Sequence, residues 1–215
     1  MGFPRVYPIV DTAALGRLGL NVTDAARAML HGGARILQFR HKGFWSAQTV
    51  DLAGLVGALC GKAGAAFVVN DRADYAALLN AGLHVGRDDL SPGDARGMVT
   101  GTLGYSTHSL DQLHAADLEP VDYLALGPVF GTLSKEQADP VVGVEMLAKA
   151  RALTAKPLVA IGGITMETAP AVWAAGADSV ALIADLLKGV PSGDGGIAEI
   201  RARMRRWMDL AEIRL

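Results

Sequence analysis

Asn70, Asp71 and Arg72 follow directly on the apolar run Ala66-Phe67-Val68-Val69, so an amide, a carboxylate and a guanidinium stand where a buried strand would end. A carboxylate in that place either caps the next helix or holds a cation, and spacing alone allows both. The same polarity recurs along the chain. Gln38, Arg40, His41 and Lys42 close the run 35–40; His84, Arg87, Asp88 and Asp89 close 83–86; Ser106, Thr107 and His108 close 103–106. Strand pleating points Gln38, Arg40 and Lys42 to one side. Gln38 lies inside its apolar run, where an amide is costly unless it finds a partner. Asp88 or Asp89 could cap a helix opening at Ser91-Pro92. Two acidic run ends opposite a Lys/Arg cluster also suit a hard cation such as Mg²⁺, held by one or two carboxylates while a phosphate fills other positions.

Anion contacts are expected further on. The segment GPVFGTLSK (127–135) is too rich in glycine and hydroxyls for a helix and too long for a tight turn, so it reads as a loop that grips an anion. Gly162-Gly163 offers backbone N–H groups where a barrel of parallel strands commonly binds phosphate.

The elements that must position these residues show a regular rhythm. Eight short runs rich in Val, Ile and Leu, at 6–10, 35–40, 66–70, 83–86, 103–106, 122–127, 157–163 and 178–183, alternate with stretches of helical period. Helices are expected at 21–30, 46–60, 91–98, 109–116, 143–153, 165–176 and 196–210, with another starting at Asp71 or Arg72 and ending near Gly82. No linker or composition break divides the 215 residues, so a single (β/α)8 TIM barrel over 1–215 is expected, with a doubly wound open sheet as the alternative. In such a barrel the active site gathers at the carboxyl ends of the strands, where the polar run ends fall.

A net charge of −2 and an isoelectric point near 6.2 give no global field toward nucleic acid or an acidic membrane. The basic segment RARMRRWM reads as the wet face of a last helix. The single cysteine, Cys60, can form no internal disulfide and reads as small helical packing. The opening MGFPRVYPIVD has no charged-then-apolar signal pattern, and no stretch is apolar enough to span a membrane, so a cytoplasmic location is expected.

Six motifs, QFRHK, NDRADYA, GLHVGRDD, GYSTH, GPVFGTLSK and AIGGI, resemble in order and spacing those of the thiamine phosphate synthase family, over about residues 5–187. The resemblance implies an Mg²⁺-dependent transferase. Its small-molecule substrates would be hydroxymethylpyrimidine diphosphate and hydroxyethylthiazole phosphate, joined to give thiamine phosphate and pyrophosphate. It implies that Asp71 and Asp89 hold the metal, and that Arg40, Lys42, Asn70 and Lys135 hold the diphosphate. Gln38 and Ser106 would face the pyrimidine, and Arg40, Lys42, Ser106 and Lys135 would carry the catalysis. Thr132, Ser134, Gly163 and the backbone at Ile183 and Ala184 would take the thiazole phosphate. Three positions depart from the family pattern: Arg87 for the usual Gln, Ser134 where Thr is common, and Ala184 where Ser often stands. A thiazole tautomerase using His108, or a non-catalytic barrel that binds a phosphorylated metabolite, is the alternative. The sequence leaves the oligomeric state open, a homo-oligomer included.

Overall fold

The apolar runs form strands because β-branched residues favour a pleated surface and can be buried on both faces. The computed structural model describes residues 2–131 and 140–213. Among these residues eight strands occur: β1 (Val6–Asp11), β2 (Ile36–Arg40), β3 (Ala66–Asn70), β4 (Gly82–Val85), β5 (Leu103–Thr107), β6 (Tyr123–Leu126), β7 (Leu158–Ile161) and β8 (Ser179–Leu182). They pair in parallel in chain order, and β8 returns to β1 to close the barrel. The open-sheet alternative is thereby excluded.

The helices fall where their caps allow. In α2 (Val22–His31), α3 (Ala47–Ala63), α5 (Pro92–Met98) and α6 (Leu110–Asp117), Asn21, Ser46, Ser91 and Ser109 each accept a backbone N–H of the first turn. Gly64 ends α3 in the left-handed conformation, as a glycine after a helix commonly does. The remaining helices are α1 (Thr12–Arg17), α4 (Ala73–Leu78), α7 (Gly143–Arg151), α8 (Ala169–Ala174), α9 (Ala184–Leu187) and α10 (Gly193–Glu212).

Three details differ from the sequence reading. Helix α4 is shorter at both ends, because Asp71 is left-handed and Gly82 is already the first residue of β4. Helix α8 starts late, since Thr165 and Thr168 first close a turn through their hydroxyls. Helices α1 and α9, of six and four residues, are too short to show a helical period.

The core has two layers. One lies between the strands and the helices, and α10 enters it through Ile200, Met204, Trp207 and Ala211 while Arg201, Arg205 and Arg206 stay in solvent. Cys60 belongs to this layer, and burial pushes its thiol up to about 12. The other layer fills the barrel itself and consists of Tyr7, Ile9, Ile36, Val68, Tyr123, Ala125, Val159 and Ala181. Gly104 makes room for it, since a Cβ there would overlap the Tyr123 ring. Among the described residues no helix is long and apolar enough to cross a membrane.

Candidate active site

Asp71 stands at φ 66°, in the left-handed region that Asp tolerates better than most residues. Its N–H still donates to the His84 carbonyl at 2.8 Å, continuing the β3–β4 pairing, and the positive φ then turns the chain out of β3. The helix cap position falls to Arg72, with no side-chain cap bond, so Asp71 is not a cap. Its carboxylate instead pairs with the Lys42 ammonium. Asp89 is not a cap either: Ser91 holds that place for α5, and Asp89 Oδ2 accepts the Gly86 N–H at 2.7 Å. Asp88 is exposed and meets Arg87 at 3.5 Å, so the unusual arginine leans on its own neighbour.

Burial pushes the Asp89 carboxyl above the usual carboxylate range, and the facing Asp71 carboxylate adds to this, against the opposing pull of the Gly86 N–H and Lys42. Two partly buried carboxylates brought together around one lysine are short of positive charge. Their oxygens suit a hard divalent cation, and no trio of His, Cys, Asp or Glu able to hold a metal occurs among the described residues. Mg²⁺ is commonly held by one or two carboxylates, with waters and phosphate oxygens completing its shell. The donor set therefore fits Mg²⁺ together with a phosphorylated ligand.

The neighbouring positions add cations and donors. Asp11 lies opposite Arg40 in the β1–β2 register and pairs with its guanidinium, while its other oxygen accepts the Ala14 N–H at 2.8 Å and caps α1. Asp11 is thus a site residue that the sequence reading missed. The polar strand-end rule would have found it, had the first run been extended by one residue. Asn70 is buried, and its Nδ2 has no hydrogen-bond partner among the described residues. A buried unpaired donor is costly, which makes this amide a group awaiting an acceptor.

Gln38 and Ser106 are joined through the barrel interior. Gln38 Nε2 donates to the Tyr7 hydroxyl at 3.2 Å, Tyr7 meets the Tyr123 hydroxyl at 3.0 Å, and Tyr123 meets His84 Nδ1 at 2.8 Å. His84 Nε2 lies 2.8 Å from Ser106 Oγ. The expected partner of Gln38 is therefore a tyrosine from β1. His84 stands out in the sequence as a polar run end, whereas Tyr7 and Tyr123 do not, because tyrosine within an apolar run reads as core.

Across the same rim, at the end of β7, Gly162 and Gly163 have φ of 98° and 64°. A Cβ on Gly163 would press on the Gly131 carbonyl and on Phe130, and the Phe130 N–H donates to the Gly162 carbonyl at 2.9 Å. The glycines thus let the segment after β6 lie against the end of β7. Ile183 follows β8, and Ala184 opens α9. Thr132, Ser134 and Lys135 lie outside the described residues. His108 Nδ1 is 2.5 Å from the Gly127 carbonyl, and the His108 N–H donates to Gln112 Oε1 at 2.7 Å, so this histidine braces the exit of β6.

A closed (β/α)8 barrel with an amide, cations and two convergent carboxylates at the carboxyl ends of its strands defines a barrel enzyme that handles phosphorylated ligands. Residues 6–186 match the family model described as thiamine monophosphate synthase, and the chain belongs to that family. It is 47% identical over 191 residues to a thiamine-phosphate synthase of Koribacter versatilis (strain Ellin345), covering 86% of this chain and 89% of the relative. It is 40% identical over 176 residues to one from Synechococcus sp. (strain CC9605), covering 80% of this chain and 50% of that longer protein. Among solved structures, thiamine phosphate pyrophosphorylase from Pyrococcus furiosus superposes with a TM-score of 0.83 at 28% identity, over 97% of this chain and 95% of that one.

Proposed function

We infer that the protein is a transferase joining hydroxymethylpyrimidine diphosphate to hydroxyethylthiazole phosphate, with release of pyrophosphate and thiamine phosphate. The observation that carries this reading is the meeting of Asp71, Asp89 and Lys42 at one rim, beside Asn70, whose amide nitrogen has no partner among the described residues. In the reaction the carbon–oxygen bond to the diphosphate breaks and its electron pair leaves with the diphosphate, while the thiazole nitrogen lone pair forms the new carbon–nitrogen bond. The amino-substituted ring stabilises the cationic carbon, so the protein needs no covalent nucleophile. Arg40, Lys42, Asn70 and Lys135 hold the diphosphate and stabilise its growing charge, while Gln38 and Ser106 orient the ring. Asp71 and Asp89 would hold Mg²⁺, which when bound supplies charge neutralisation on the leaving diphosphate. Thr132, Ser134, Gly163 and the backbone at Ile183 and Ala184 receive the thiazole phosphate. His108 serves as a brace on Gly127, which supports the synthase over a tautomerase that would use it as a base. Its place is the cytoplasm, in keeping with a single buried cysteine.

The test incubates purified protein with both phosphorylated heterocycles and Mg²⁺ and follows thiamine phosphate by chromatography. Product should form, and chelator should abolish it. Absence of product, with isomerisation of a thiazole carboxylate that survives chelation, would overturn the synthase in favour of the tautomerase.

A further inference from the structure

The hydrogen bonds from Gln38 to Ser106 form one unbroken series of four links, each between 2.8 and 3.2 Å, through Tyr7, Tyr123 and His84. Both of its ends are the residues read as facing the pyrimidine, and its three middle members have no part in the chemistry above. Tyr7 and Tyr123 are fully buried, and His84 is nearly so. Burial pushes the Tyr7 phenol up to about 12 and the Tyr123 phenol well above its ordinary value, so each keeps one proton to direct.

With the Gln38 amide nitrogen toward Tyr7 and His84 neutral, counting protons gives the series one direction. Gln38 Nε2 can only donate, so the Tyr7 oxygen accepts. The Tyr7 proton then goes to the Tyr123 oxygen, and the Tyr123 proton to His84 Nδ1. A neutral His84 then carries its own proton on Nε2 and donates it to Ser106 Oγ. With Ser106 Oγ already accepting, its hydroxyl hydrogen is left for a ligand. Turning the Gln38 amide over would require every later link to reverse with it, because a single reversed link leaves two donors or two acceptors facing each other in a buried place.

We propose that Tyr7, Tyr123 and His84 are positioning residues that polarise the two ends of this series, so that Gln38 presents its carbonyl oxygen and Ser106 its hydroxyl hydrogen to the pyrimidine. An acceptor and a donor held this way complement an exocyclic amino group beside a ring nitrogen. A pyrimidine with an oxo group in place of the amino group sets oxygen against oxygen at Gln38 and is refused, since the amide cannot turn alone. The inference rests on the synthase reading for the identity of the ring, and extends it to how the ring is chosen.

Two measurements test it. In ligand-free protein labelled with ¹⁵N-histidine, His84 should show the Nε2–H tautomer, and Tyr123→Phe, which keeps the ring in the space left by Gly104, should populate the other tautomer. A wild-type His84 protonated on Nδ1 would overturn the proposal. In kinetics, wild type should prefer the aminopyrimidine diphosphate over its oxo analogue by at least about a hundredfold in kcat/KM, as for a site with committed hydrogen-bonding groups. Tyr123→Phe should cut that preference about tenfold or more and raise the pyrimidine KM, with the thiazole KM unchanged. Tyr7→Phe should do the same, and the double variant should lose little further, because the two substitutions break one coupled series. An undiminished preference in folded single variants, or fully additive losses, would also overturn it. Wild-type protein that makes no thiamine phosphate would instead refute the synthase reading, while the His84 tautomer would still decide the direction of the series.

Discussion

At Asp71 two demands meet in one residue: a backbone that must leave β3 through the left-handed region, and a carboxylate that must reach Lys42 and face Asp89. Asp and Asn are the non-glycine residues that accept such a backbone most readily. Asp71→Asn therefore separates the demands. It should lower the rate by at least about a hundredfold, as for loss of a preorganised electrostatic contact. Stability should hardly change, because the lysine it pairs with is 54% exposed and ion pairs that wet contribute little. Asp71→Ala removes the carboxylate and the tolerance together, and should be less stable than Asp71→Asn by about 1 kcal/mol. Steady-state rates and urea denaturation of the two variants check both statements. Asn70 and Arg40 follow the same logic, one an amide lacking an acceptor among the described residues, the other a cation held in place by the cap of α1.

Among the strands, β4 and β5 each hold a glycine that leaves no room for a side chain. Gly104 faces the barrel interior where the Tyr123 ring crosses it, and a Cβ at Gly82 would meet the Thr102 carbonyl at 2.8 Å. Gly104→Ala forces the ring and its hydrogen bonds aside, and should destabilise by about 3 kcal/mol, the upper end for overpacking. Gly97, in α5, has open space where a Cβ would go. Gly97→Ala should therefore stabilise by about 0.5–1 kcal/mol through the unfolded chain and helix propensity. Thermal or chemical melts of this pair measure whether a glycine serves packing or merely occupies a helix.

For the whole molecule, closure of the barrel brings residues from six of the eight strands or their exits to one rim: Asp11, Arg40, Asn70, Asp89, Ser106 and Gly163. Ligand binding there should tie the sheet together and appear as global stability. Pyrophosphate with Mg²⁺, at about a hundred times its dissociation constant, should add about 2.7 kcal/mol. For a domain of this size that corresponds to a rise of about 5–10 °C in Tm. Differential scanning fluorimetry should show this rise for wild type, with little or none for Asp71→Asn.

The alternation of apolar runs with helical stretches fixed the barrel and nearly every strand, because parallel strands buried on both faces leave continuous Val, Ile and Leu runs that nothing else in a soluble chain requires. It also marked Gln38, Arg40, Asn70, Asp71 and Asp89, since polar groups ending apolar runs stand out locally. Whether Asp71 and Asp89 were caps or partners was not legible: both roles use the same residue type, and they are separated only by the φ of 66° and the Lys42 pairing at Asp71, and by the Ser91 cap and the Gly86 N–H at Asp89. Tyr7 and Tyr123, and the link of His84 to them, were hidden for a different reason. Tyr7 and Tyr123 lie 116 residues apart, and a hydrogen bond between such distant hydroxyls exists only once the barrel has closed around them. Local sequence thus determined which residues line the strands, and tertiary structure decided which of them share a proton.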